Sequence, residues 1–232
     1  MQIATGFTDP GRESAPIFTI EQDVFLLNNW RVLQGQADDP QRHYGKYVRS
    51  LGGVLTITNG VSLIRYEAGS LDGFYIIDGY GRFVPSDPNK DIYNRGGYPD
   101  VDAVMPNFKM LDKTPPVSSD EIRRFIEYLN HIRQSNNMVG ESVDCLLVED
   151  IAVKKRKYND GNHVLPEYAF PFRLPMVDGV VFDANALRVV FTEMLRYESV
   201  YIGYDNVAPG KTPLVVGLDW GHCGLVMPSG VV

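Results

Sequence analysis

The chain has 232 residues with 22 lysines and arginines against 29 aspartates and glutamates, a formal charge of −7 with histidine neutral. That balance excludes a bulk positive field able to hold a polyanion, so any nucleic-acid role needs a local basic face or a topological link. Two cysteines, Cys145 and Cys223, exclude a disulfide scaffold and lack paired metal-ligand spacing, the N-terminus has no apolar signal region, and no run approaches the roughly 18 apolar residues of a membrane span. The expectation is a cytoplasmic globular chain, one β-rich domain or two.

In chain order, residues 1 to 16 read as a loose arm. Thr19 and Gln22 then form a capping-box pattern ahead of Ile20, Val24, Leu27, Trp30 and Leu33, which predicts a helix over 20–34 stopped by Gly35. The polar run 36–49, with His43, Lys46 and Arg49, reads as a solvated loop entering a strand. GVLTITNGVSLIRYE predicts two alternating strands around Asn59-Gly60, residues that tolerate positive φ. GFYIIDGYGRFVP repeats the pattern around Asp78-Gly79. SDPNKDIYNRGGYPD is rich in Gly, Pro and Asn and reads as a linker, which divides the chain into 1–97 and 98–232.

In the second part Ser118 and Glu121 form another capping box, and Ile122, Phe125, Ile126 and Leu129 predict a helix over 119–134. Its outer side carries Arg123, Arg124, Glu127, Asn130 and Arg133. VDCLLVEDIAVKKRKY reads as a strand pair, with Lys154 to Lys157 as its solvated end. HVLPEYAFPFRLPMVDG, interrupted by prolines, reads as an irregular connection or an edge strand. Leu187, Val190, Phe191, Met194 and Leu195 then mark one face of a further helix, with Arg188, Thr192 and Arg196 opposite. Three short runs follow, VYIGY, PLVVGL and GLVMP, read as antiparallel strands. A capped helix followed by hairpin strands thus recurs three times, an α+β pattern with helices gathered on one side of the sheets.

No phosphate-binding glycine loop, GxSxG, HExxH or CxxC occurs. Asp219-Trp220-Gly221-His222-Cys223 is the nearest approach to a reactive cluster, but adjacent strand residues point to opposite faces, so a Cys–His pair there would not meet. No catalytic group, cofactor or metal is expected, and a hydrolase using Asp219, His222 or the carboxylates of YPDVD is the least favoured reading. What remains is basic helix faces on an acidic body.

Three stretches resemble the bacterial DNA polymerase sliding clamp, the β subunit of the replicase, and especially its shortened phage or prophage versions. LTITNGVSLIRYE is similar to the family's strand–turn–strand motif ATDGHRL, YPDVDAVMP to its FPDYxxVLP link, and the closing GLVMPSGV to its VMPMRL ending. The resemblance implies helix-plus-strand units in a homo-oligomeric ring, with Arg123, Arg124, Arg133, Arg188 and Arg196 facing duplex DNA in the hole. It also implies a pocket for short peptides of polymerase or repair partners at Thr58, Gly60, Leu63, Leu225, Val226, Met227 and Pro228. Val61 and Ser62 replace the His and Arg of the first motif, and Ser229 and Gly230 replace the Met and Arg of the last. Three helices make one and a half family domains, so either 36–49 holds a fourth helix or a unit is missing between Val84 and Tyr98. The second case favours an adaptor of one or two chains that binds peptides without encircling DNA.

Overall fold

The computed structural model describes residues 43–69, 72–77, 83–90, 97–136, 144–147, 152–155, 168–169, 180–205, 208 and 211–231. The helix expected over 20–34, residues 36–42 and the turn at Asp78-Gly79 lie outside them.

The first half contributes β1 (Val48–Leu51), β2 (Val54–Thr58), β3 (Ser62–Glu67), β4 (Gly73–Ile77) and β5 (Phe83–Pro85). Both expected hairpins form, as β2 with β3 and β4 with β5. The strand entered after the polar run, β1, lies between them and pairs antiparallel with both β2 and β4. Within 43–49 the only helical geometry is a short 3-10 turn, His43–Lys46. Leu55, Ile57, Ile64 and Val48 point to one face and are buried, as the two-residue period requires.

The turn between β2 and β3 falls one residue later than the Asn-Gly signal suggests. The Asn59 side chain accepts from the Val61 and Ser62 amides, at 3.0 and 2.7 Å, while the Asn59 amide donates to the Ser62 carbonyl. Asn59 therefore caps the turn, and Gly60 at φ 85° supplies the left-handed residue. A Cβ on Gly60 would sit 2.1 Å from the Tyr44 hydroxyl, so the position needs glycine on two counts.

The rest of the chain adds β6 (Asp112–Lys113), β7 (Val117–Ser118), α1 (Ser119–Asn136), β8 (Asp144–Leu147), β9 (Ala152–Lys155), β10 (Tyr168–Ala169), β11 (Val180–Asp183), α2 (Ala184–Met194), β12 (Ser199–Tyr204), β13 (Leu214–Gly217), β14 (His222–Val226) and β15 (Pro228–Val231). The capping box forms as read: both the amide and the hydroxyl of Ser118 donate to the Glu121 carboxylate at 2.7 Å. Asp183 caps α2 through the Ala186 amide.

Two sheets result. The larger has ten strands, in the order β5-β4-β1-β2-β3-β14-β13-β12-β6 with β7 also on β12; the smaller runs β10-β9-β8-β11-β15. The prolines around β10 go with its place at the end of that order. The closing run GLVMP is not one strand, because the chain leaves the larger sheet after Val226 and enters the smaller one at Pro228. The α helices pack against each other through an edge-on contact of Phe125 and Phe191, centroids 4.8 Å apart. Around that pair Ile122, Leu129, Leu187, Val190 and Met194 join Val200, Ile202 and Val216 of the larger sheet and Val180 and Phe182 of the smaller. Burying each such side chain contributes about 1.5–3 kcal/mol, so this core fixes how the helices sit on the sheets. Among the described residues no helix is long and apolar enough to cross a membrane.

Candidate functional site

The helices bury one side and expose the other, as their spacing requires. On α1 Ile122, Phe125 and Leu129 are buried while Arg123, Arg124 and Glu127 are exposed. On α2 Arg188 is half-buried and Thr192 and, just beyond the helix, Arg196 are exposed. The backbone of Arg133 continues α1, but its side chain lies outside the description.

Three of these arginines are not bare cations. Arg123 pairs with Asp120 one turn earlier. The Arg188 guanidinium donates to the Asn185 amide oxygen at 2.9 Å through Nη2, and Arg196 pairs with Glu193 and lies 5.3 Å from the centre of the Tyr66 ring. Arg124 has no ion pair among the described residues. Exposed pairs of this kind contribute up to about 1 kcal/mol, so a phosphate can displace the acid, but the field of the face is mixed.

The residues that the resemblance assigns to a peptide pocket do converge. Strand β3 runs antiparallel to β14, with Leu63 opposite Leu225 and Ser62 opposite Val226, and the Met227 amide donates to the Val61 carbonyl at 2.8 Å. This seam joins the strands before residue 97 to those after it in one sheet. Burial divides the set, however. Thr58, Leu63, Leu225 and Val226 are 4, 4, 1 and 0% exposed, whereas Gly60 is exposed and Met227 and Pro228 are half-buried. The Thr58 hydroxyl is spent on the Ser62 carbonyl at 2.8 Å. Val226 faces the helices, and Leu63 and Leu225 face the other side.

That other side is covered by the connection after the linker. Tyr98 donates to the Thr56 carbonyl at 3.2 Å and packs on Phe74. Asp102 accepts from Arg49 at 2.9 Å and lies 3.9 Å from Arg65. Val101, Phe108 and Leu111 then close over Leu63, Val215, Cys223 and Leu225. Burial raises the Tyr98 hydroxyl pKa. Sequence reasoning did not single out Tyr44, Tyr98 or Arg65. The Tyr-Pro-Asp-Val-Asp run of the linker motif was the available signal for Tyr98 and Asp102.

The Asp219 to Cys223 stretch forms the β13–β14 turn. The Asp219 carboxylate accepts from the Gly221 and His222 amides at 2.9 and 3.0 Å and lies 3.1 Å from His222 Nδ1. His222 packs edge-on against Tyr66 and Tyr197 on the helix side of the sheet, while Cys223 is buried under the connection on the other side. Burial pushes the Cys223 thiol up to about 12, which leaves it an inert thiol rather than a nucleophile. Among the described residues no group of His, Cys, Asp and Glu could hold a metal ion.

No family model matches the sequence, and no curated protein matches it. Solved structures do match the fold. The DNA polymerase sliding clamp from Caulobacter crescentus is similar at TM-score 0.60 and 15% identity, over 97% of this chain and 68% of that one. The beta subunit from DNA polymerase of Streptococcus pyogenes is similar at TM-score 0.61 and 10% identity, over 98% and 69%. A sliding clamp from Pseudomonas aeruginosa is similar at TM-score 0.54 and 13% identity, over 99% and 70%. The chain has the fold of the bacterial sliding clamps, an α+β architecture of antiparallel sheets with helices on one face.

Proposed function

We propose that this chain is a sliding-clamp-like processivity factor: a homo-oligomer that encircles duplex DNA and tethers a polymerase or other replication proteins through short peptides, with no catalysis of its own. The observation that carries the reading is the pairing of β3 with β14, which sets the first motif beside the start of the last in one sheet, with the linker motif packed over that seam. Residues 1–97 form one unit of the ring and 98–232 the next. Arg123, Arg124, Arg133, Arg188 and Arg196 face the DNA, and the pocket is the rim of Gly60, Met227 and Pro228 over the buried Thr58, Leu63, Leu225 and Val226. An acidic chain in which Arg123, Arg188 and Arg196 are locally paired suits weak, sequence-independent phosphate contact, with retention supplied by topology rather than affinity. A cytoplasmic place and a phage-like origin belong to the same proposal.

The test combines solution mass with DNA retention. A ring gives a defined oligomer that stays on nicked circular DNA through gel filtration and runs off after linearisation. The rival reading, a clamp-derived adaptor of one or two chains that binds peptides without encircling DNA, is favoured by the pairing of Arg123 with Asp120 and of Arg196 with Glu193. A monomer with equal, salt-sensitive retention on both DNA forms would sink the ring.

A further inference from the structure

We infer that residues 98–111 are a strap that masks the peptide groove, and that a partner peptide gains Leu63 and Leu225 only when the strap lifts. This rests on the peptide-groove reading above. The contact is already made: Val101, Phe108 and Leu111 occupy the apolar strip formed by Leu63, Leu225 and Val215. An incoming side chain must displace one of them, because close-packed surfaces offer no spare volume.

The attachment is of a kind that opens. Among the described residues the backbone of 98–111 makes only internal backbone bonds, Met105 to Asp102 and Met110 to Asn107, and it first joins the sheet ladder at β6. Everything before that is held by side chains. These include the contacts of Tyr98 with the Thr56 carbonyl and Phe74, the pairing of Asp102, 48% exposed, with Arg49 and Arg65, the contacts of Phe108 with Trp220 and Lys113, and the three apolar plugs. Between the plugs Asp102, Ala103, Val104, Asn107, Lys109 and Met110 are exposed. An element that makes no ladder bonds and leaves many of its residues exposed sits lower in local stability than the sheet beneath it. The sheet beneath keeps its own β3–β14 pairing when the strap leaves. The strap thus lowers apparent peptide affinity by the fraction of time it is open.

The full chain is compared with Asp102→Asn and Phe108→Ala, and hydrogen exchange is followed by mass spectrometry. The probe is a fluorescent peptide of serine and glycine with one central leucine–phenylalanine pair, and its control has serine at both positions. Both variants are expected to exchange faster over 98–111 with unchanged protection in α1 and α2. They should bind the probe more tightly than the parent chain, about fivefold for the ion-pair variant and tenfold or more for Phe108→Ala. Equal probe affinity in all three would overturn the strap and leave the peptide groove standing. Faster exchange without any probe binding over the control would overturn both. Unchanged exchange in both variants would show the strap to be a fixed part of the sheet, ending the proposal.

Discussion

Gly224 is where α2 seats on the seam strand. A Cβ built there lies 2.5 Å from Val190 Cγ1 and 3.4 Å from Val190 Cβ. Ordinary carbon contacts lie at about 3.5–4.0 Å, so Gly224→Ala asks for a separation of about 1 Å. Val190 cannot supply it by rotating, since a β-branched residue in a helix has one strongly preferred rotamer. The helix must lift or the side chain must strain, at a cost of about 1–3 kcal/mol. For a chain of this size that corresponds to a fall in Tm of about 2–4 °C per kcal/mol. Val190→Ala alone removes buried apolar volume and is also destabilising, by about 2 kcal/mol or more. The double variant separates fit from loss: with the valine methyls gone, the alanine methyl enters space they vacated, and Gly224→Ala becomes neutral or mildly stabilising. Urea titrations of the four proteins give the coupling, expected at about 1–3 kcal/mol. Additive effects, or a neutral Gly224→Ala in the parent chain, would refute the argument that α2 touches the β14 backbone.

Other outcomes follow from local chemistry. Gly60→Ala places a Cβ at φ 85° and against the Tyr44 hydroxyl, and should cost about 1–2 kcal/mol from the backbone alone; Tyr44→Phe should recover only the contact part, as urea midpoints would reveal. Ser118→Ala should cost about 1 kcal/mol in thermal melts. The Ser118 hydroxyl and amide hold the Glu121 carboxylate below its ordinary value of 4.5. Its stabilisation is therefore present above that value and lost as pH falls through the lowered folded one. Glu121→Gln should flatten the acid limb of the stability profile, and an unchanged limb would refute the capping box. In a Cys145→Ser background, Cys223 should resist alkylation at pH 8 in the folded chain and react fully in denaturant; rapid labelling of the folded protein would contradict its burial under the strap.

Local signals carried the elements. The Ser118–Glu121 box, the apolar spacing of α1 and α2, and the alternation of β2 and β3 depend on neighbours within four residues or on a simple period, so they were legible. The assignment of Arg123, Arg124, Arg188 and Arg196 to exposed or half-buried sides followed from the same periodicity. The partners of Arg123, Arg188 and Arg196, which are Asp120, Asn185 and Glu193, stood three residues away in plain view, but rotamers alone decide whether such pairs close.

Long-range pairing decided the rest. Nothing local says that β1 enters between two hairpins, or that LVMP splits between two sheets after Val226. Nor does it say that Leu63 lies opposite Leu225 across more than 160 residues of chain. For Leu63, Leu225 and Val226 an apolar strand residue suits pocket lining and sheet core alike, so residue type does not choose between them. Tertiary packing chose burial, by laying Val101, Phe108 and Leu111 over the outer face and α2 over the inner one. Residue type and period set which elements form and which sides are apolar; what covers each side is set by contacts between distant segments, and only the folded chain supplies them.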